Sequence, residues 1–190
     1  AALETLGINS IQYIDKTPGE KKKSGMSNEF VAISFTDALL EVAERRKEVV
    51  LLDADLLGDA RLQRFAEQFP DQFIENGIAE QDMVSTAGGL ALHGMLPFAN
   101  SFASFLCARA NEQIYNNATE TTKIIYVNLY SGLIPAGPGK SHQSLRDIAL
   151  MSSMPNMTVV HPGNEQETKA IVKWCADVAK ESCAIRLNIG

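Results

Sequence analysis

The sequence predicts an α/β fold: a parallel sheet of about six strands with helices on both faces. Three observations carry this. Short apolar runs rich in β-branched residues alternate along the chain with stretches of helical periodicity. One of them, Val49-Val50-Leu51-Leu52, is apolar at consecutive positions, as in a parallel strand buried on both faces. Finally, the alternation is punctuated by residues that stop or cap helices: Pro70, Gly94, Pro162-Gly163 and Asn164.

The elements follow in order. Residues 36–46 read as a helix with Leu39, Val42 and Ala43 on one face, capped by Ser34 with Asp37 three residues on. Residues 49–55 are an apolar strand ending in acids. A short helix over 61–69 is stopped by Pro70, and 73–76 is the next strand. The helix over about 80–93 carries Ala87, Gly88, Gly89 and Ala91. Glycine inside a helix costs roughly 1 kcal/mol against alanine, so this cluster predicts close approach by the sheet or by a partner subunit. Gly94 then fits a C-terminal cap. A strand over 96–101 leads into a mostly helical stretch over 102–116, which sets Phe102, Phe105 and Arg109 along one side. From spacing alone these aromatics read as ordinary core. A strand over 123–129 is followed by the loop 131–141, a short helix over 144–153 and a strand over 157–161. Asn164 caps a helix, with Glu167 completing a box-like start and Ile171, Trp174, Cys175 and Val178 as its buried stripe. Residues 183–187 are the last strand.

The chain of 190 residues is long enough for one domain with a real core. Its apolar fraction of 45% and charged fraction of 21% are ordinary for a soluble globular protein. A net charge of −6 gives no electrostatic case for nucleic acid or an anionic membrane. No apolar run approaches the roughly 18 residues of a membrane helix, and there is no secretory pattern. Cys107, Cys175 and Cys183 show no metal spacing and lie in apolar contexts, so they read as buried, reduced thiols of a cytoplasmic protein. Residues 1–27, with Thr17-Pro18-Gly19 and Lys21-Lys22-Lys23, have the composition of a linker or N-terminal extension. The expectation is a fragment of a longer polypeptide, with this segment once leading out of a preceding domain.

The stretch Phe73-Ile74-Glu75-Asn76-Gly77-Ile78-Ala79-Glu80-Gln81 runs from strand through a glycine turn into a helix. It places Glu80 at the carboxyl edge of the sheet, where ligand crevices form in open α/β folds. Local pattern alone favours an ordinary first-turn acid. The loop ending Gly137-Pro138-Gly139-Lys140-Ser141 is not a nucleotide phosphate loop. The earlier glycine is wrongly spaced, and Pro138 removes an amide that such a cradle needs.

Asn76-Gly77-Ile78-Ala79-Glu80-Gln81 resembles the signature of the pyrimidine-binding domain of transketolases, which are thiamine diphosphate enzymes. The resemblance continues in order through Pro97-Phe98, Ser101-Phe102-Ala103-Ser104-Phe105, Ser141-His142-Gln143, Asp147-Ile148-Ala149, Pro155-Asn156 and Pro162, covering about 28–188. It implies a pyrimidine-binding domain over 28–190. In that family a glutamate hydrogen-bonds a pyrimidine nitrogen and favours the tautomer that acts as base; Glu80 matches it. Phe102 and Phe105 match aromatics that stack on the ring, with Arg109 placed beside them as a cofactor contact. Asp55 matches an acid that helps hold the cofactor at a subunit interface. His142 matches a histidine that contacts the substrate. The implied catalytic residues are therefore Glu80 and His142. The implied cofactor-binding residues are Asp55, Glu80, Phe102, Phe105 and Arg109, with no metal ligand in this chain.

Departures from the family pattern are as informative. A third aromatic of some members falls at Ala108, a second histidine at Tyr130, and an aspartate that reads the substrate hydroxyl at Pro138. Positions that hold a sugar phosphate fall at Phe35, Asp59 and near Ile189. Lost cations and a gained acid disfavour a dianion, which implies a substrate other than the usual phosphorylated sugar. The Gly-Asp-Gly motif that holds diphosphate and magnesium is absent, so both are expected on a partner domain or subunit, in a homo-oligomer or a mixed assembly. The resemblance thus implies a magnesium-dependent transferase of carbohydrate metabolism that moves a two-carbon ketol unit between small ketose and aldehyde substrates. The alternatives are a β-subunit-like part of a 2-oxoacid dehydrogenase, which passes on an acyl unit after decarboxylation, and a degenerate non-catalytic binding domain.

Overall fold

The computed structural model describes residues 30–133 and 138–188. The expected linker over 1–27, the position near Ile189 and part of the loop before Pro138 lie outside them. Helix α1 (Phe30–Arg45) is followed by β1 (Val49–Asp53), α2 (Gln63–Gln68), a 3-10 turn (Pro70–Gln72) and β2 (Phe73–Glu75). Then come α3 (Glu80–Leu92), β3 (Leu96–Phe102), α4 (Ala103–Arg109), α5 (Asn111–Thr119) and β4 (Ile125–Leu129). The chain closes with α6 (Asp147–Ser152), β5 (Met157–Val160), α7 (Glu165–Asp177) and β6 (Ser182–Leu187).

The six strands form one sheet in the order β2-β1-β3-β4-β6-β5, and each neighbouring pair is parallel. Successive side chains of a strand point to opposite faces, so the sheet has two cores. Val49, Leu51, Phe98, Ile125, Val127, Cys183 and Ile185 meet α1 and α7 on one face. Val50, Leu52, Ala99, Tyr126 and Ala184 meet α3, α4 and α5 on the other. β1 is buried along its whole length, as its continuous apolarity predicts; β3 and β4 are too, while the edge strand β5 is half-buried.

Helices α1 and α7 run side by side in parallel. Three ion pairs tie them at one-turn spacing: Asp37–Lys169 at 3.3 Å, Glu41–Lys173 at 2.5 Å and Arg45–Asp177 at 2.6 Å. Lys123 donates to the carbonyls of Ala176 and Ala179, and Arg46 to that of Ala176, so two cations meet the carboxyl end of α7.

Several expectations are corrected. α1 begins six residues earlier than the periodicity suggested, because Val31, Ala32 and Phe35 extend its buried stripe. Ser34 is therefore inside the helix and buried rather than capping it. The helix expected over 102–116 is two helices, broken at Ala110, and Phe102 is the last residue of β3. On α7 the buried residues are Thr168, Val172, Cys175 and Ala176; Trp174 and Val178 face solvent. Asn164 Oδ1 does accept from the Glu167 amide at 2.9 Å, but the Glu167 carboxylate returns to the Gly163 amide, one residue before the cap. All three cysteines are buried and unbridged, as expected.

Candidate functional site

The strand order reverses at β1: its chain leads outward to β2, whereas β3 lies on its other side. In open α/β sheets the loops diverge at such a point and leave a crevice at the carboxyl ends of the strands. A recess of about 150 Å³ lies there, lined by Ala54, Asp55, Leu56, Ile78, Glu80, Ser101, Phe102, Phe105 and His142. Asp55, Glu80, Phe102, Phe105 and His142, all singled out in the sequence, thus share one cavity. Arg109 stands at its border.

Glu80 opens α3 and is 3% exposed. Its Oε1 accepts from Arg109 Nη1 at 2.8 Å and from Ser101 Oγ at 3.3 Å. Oε2 has no hydrogen-bond partner among the described residues. Arg109 also lies over the Phe105 ring, with Cζ 3.8 Å from its centroid. The Arg109 side chain is 43% exposed, so it can leave that ring face without breaking the core.

The aromatic side of the recess is a cluster of four rings. Phe102 stacks on Tyr130 at 5.0 Å and meets Phe105 edge-on at 5.8 Å. The His142 ring stands edge-on to both, at 5.4 Å from Phe102 and 4.9 Å from Phe105. Ser141 Oγ lies 3.0 Å from His142 Nδ1. Tyr130, at the position of a family histidine, is buried behind Phe102 with φ of +55°. Phe35 packs in the core against Phe98, Asp59 is exposed, and neither lines the recess.

Beneath the rim lies a polar layer that local pattern did not reveal. Glu75 Oε1 accepts from the amides of Asp55 at 3.0 Å and Gly77 at 2.7 Å, joining the loops after β1 and β2. Asp55 and Gly77 both have positive φ, so the two loops turn sharply where Glu75 ties them. Asp53 is fully buried; its Oδ1 accepts from Asn100 Nδ2 at 2.5 Å and its Oδ2 from the Leu56 amide at 2.7 Å. Burial pushes the Asp53 carboxyl up to about 6, against the hydrogen bonds from Asn100 and Leu56. The signal in the sequence was a carboxylate ending an otherwise apolar strand.

Cys107 faces inward from α4. Its Sγ donates to Asn128 Oδ1 at 3.0 Å, and burial pushes the thiol up to about 12. A thiol so held is inert as a nucleophile at neutral pH. His93 caps α3 and contacts the Gly89 carbonyl at 2.8 Å through Nδ1, away from the recess lining.

The family described as transketolase, pyrimidine binding domain, matches residues 31–189. The chain belongs to this family. A putative transketolase C-terminal section from Methanocaldococcus jannaschii is 37% identical over 144 residues, 75% of this chain and 46% of the relative. An apulose-4-phosphate transketolase subunit from Phocaeicola vulgatus is 37% identical over 155 residues, 80% of this chain and 50% of the relative. Among solved structures, a split-gene transketolase described as an inactive β4 tetramer is similar, with TM-score 0.74 and 34% identity over 87% of this chain and 52% of the other. The chain thus spans about half the length of the curated relatives it matches. Residues 31–189 are a pyrimidine-binding domain of the transketolase family.

Proposed function

We propose that residues 28–190 supply the pyrimidine half of a thiamine diphosphate site in a transketolase-like transferase that moves a two-carbon ketol unit. The observation that carries this is the convergence of Glu80, Phe102, Phe105 and His142 on one recess at the switch point of the sheet. The recess suits a flat aminopyrimidine. Two aromatic rings flank it, and a buried carboxyl presents an oxygen that no side chain of the described residues has claimed. Bound there, thiamine diphosphate supplies the carbanion chemistry that no side chain of this chain provides.

The chain's own residues then have distinct tasks. Glu80 holds a pyrimidine nitrogen, while Arg109 and Ser101 fix its other oxygen and so its rotamer. Arg109 serves the cofactor through Glu80, and it must leave the face of Phe105 if a ring is to stack there. Asp55 sits at the rim, on a loop that Glu75 ties in place. Ser141 engages His142 at Nδ1, which leaves Nε2 for the oxygen of a substrate. Diphosphate and magnesium belong to a partner domain or subunit, in a soluble, cytoplasmic assembly. The description of the split-gene relative's β chain as an inactive tetramer supports the need for a partner.

Among the described residues the recess lining includes two carboxylates, Asp55 and Glu80, and neither Lys nor Arg; the cation at its border, Arg109, is already paired with Glu80. That supports an acceptor without a phosphate at this half of the site. The test is to assay the assembled enzyme, this chain with its diphosphate-binding partner, thiamine diphosphate and magnesium. The donor is hydroxypyruvate, and the acceptors are matched aldehydes with and without a phosphate. Preference for the unphosphorylated aldehyde is expected, with kcat reduced about 100-fold or more in Glu80→Gln. Preference for the phosphorylated one would place the cations on the partner and reject the substrate reading. Absence of ketol product from either would turn the case towards acyl transfer or a non-catalytic domain.

A further inference from the structure

We propose that Arg186 and Asp147 are positioning residues for His142, acting from beneath the loop that carries it. This rests on the reading of His142 as a substrate contact. Asp147 opens α6 five residues after His142 and is 3% exposed; Arg186 lies near the carboxyl end of β6. Arg186 Nε donates to Asp147 Oδ2 at 2.6 Å, with side-chain exposures of 11% and 3%. Among the ion pairs of the described residues, only this one is so deeply buried on both sides.

The guanidinium is engaged on its other side as well. Arg186 Nη1 lies 3.2 Å from His161 Nδ1, and His161 Nε2 lies 3.3 Å from the Asn188 side-chain amide. Arginine has only donors, so Nδ1 of His161 accepts and its proton resides on Nε2. The Asn188 amide therefore turns its oxygen, otherwise buried without a partner, towards Nε2. With that orientation the run Asp147–Arg186–His161–Asn188 is satisfied, and the guanidinium is braced from two strand ends and one helix.

What it braces is the segment between β4 and α6. The Ser131 amide donates to the Leu187 carbonyl at 3.1 Å, and the Ser144 amide to that of Gly132 at 2.8 Å. Gln143 Nε2 reaches the Leu133 carbonyl at 3.3 Å. Most of these bonds lie within the segment itself; Ser131 and Asp147 fasten it to β6. Asp147 also stands beside Cys107 of α4, the helix whose outer side presents Phe105 to the recess. One buried pair thus sets α6 and the His142 loop against the aromatic wall. Removing one partner of such a pair leaves an uncompensated buried charge. A displacement of His142 by about 1 Å is enough to lower turnover by up to roughly 100-fold.

A double-substitution cycle in the assembled enzyme separates positioning from stability. Arg186→Met should lower kcat roughly 10- to 100-fold while the cofactor Kd stays within about twofold. In a His142→Ala background the same substitution should cost almost nothing more, because the group it positions is gone. Arg186→Lys, which keeps the charge and loses the planar fork, should recover part of the rate. If Arg186→Met does not fold, Asp147→Glu, which keeps both charges and shifts their geometry, takes its place in the cycle. Additive losses in the double variant, or full kcat in a folded Arg186→Met, would overturn the positioning role alone. Full kcat in His142→Ala would instead overturn the reading of His142, and this proposal with it.

Discussion

The residue with the most informative environment is Asp53, which does not itself line the recess yet shapes its rim through the Leu56 amide. Its carboxyl is pushed up to about 6 by burial, above its ordinary 3.8. Between those values the folded chain holds a proton that the unfolded chain has lost, so stability attributable to Asp53 falls as pH rises from about 4 to about 6. Above that window its contribution is constant. Asp53→Asn removes the titration and remains satisfiable. Its oxygen can accept from Leu56, and its amide can donate to Asn100 Oδ1, which is buried without a partner, once the Asn100 amide turns. Thermal denaturation of the two proteins between pH 4 and 7 should therefore show a downward slope that the variant lacks. Parallel curves would mean that Asp53 is hydrated or neutral throughout. Asp53 and Glu75 also mark where the sequence was illegible. Glu80, Phe102, Phe105 and His142 carry a recognisable spacing, but the bonds of Glu75 to Asp55 and of Asp53 to Asn100 join residues 20 and 47 positions apart, which no local pattern encodes.

At the level of elements, the strands were readable because burial on both faces demands continuous apolar runs, and β1 and β4 have them. Helix limits and phases were less so, because packing overrides the local signal. α1 starts early since Val31 and Phe35 find the core, and α7 turns Trp174 outward because Val172, Cys175 and Ala176 fit against its neighbours. The break between α4 and α5 falls at Ala110, a residue with no breaking tendency of its own. The glycine pair of α3 shows how one motif holds two cases. A Cβ at Gly88 would stand 2.1 Å from Asn117 Oδ1, and Asn117 Nδ2 bonds the Val84 carbonyl of α3. At Gly88 the close approach is made by a side chain of α5 rather than by a strand. At Gly89 a Cβ meets nothing within 4 Å. Gly88→Ala should destabilise the protein by roughly 1–3 kcal/mol through overpacking, outweighing any gain in helix propensity. Gly89→Ala should stabilise it by up to about 1 kcal/mol. Urea denaturation of both variants checks the contrast; equal effects in either direction would show that Asn117 does not press on Gly88.

At the level of the whole molecule, the recess has one well-made side. Phe102, Phe105 and His142 form a wall backed by the core and by the Asp147–Arg186 pair, while Glu80 and Arg109 border a wide opening of about 670 Å³. At this opening Ile78 is 71% exposed, and Leu133, Leu145 and Ile148, on the segment around His142, are exposed at 57%, 73% and 52%. No group of three or more His, Cys, Asp or Glu that could hold a metal is present among the described residues. A cofactor with a flat ring at one end and a diphosphate at the other would find here the ring's stacking partners and one hydrogen-bonding carboxyl. The net charge of −6 would meanwhile disfavour the diphosphate. The free energy from one stacked ring and one hydrogen bond is small against the cost of immobilising the ligand. Calorimetric titration of this chain alone with thiamine diphosphate and magnesium should therefore give weak binding, with Kd in roughly the millimolar range. Adding the diphosphate-binding partner should tighten it by several orders of magnitude, because the second set of contacts comes without a second loss of translational freedom. Micromolar binding by this chain alone would mean that the exposed apolar rim and Arg109 rearrange into a complete site, and the need for a partner in cofactor capture would fall.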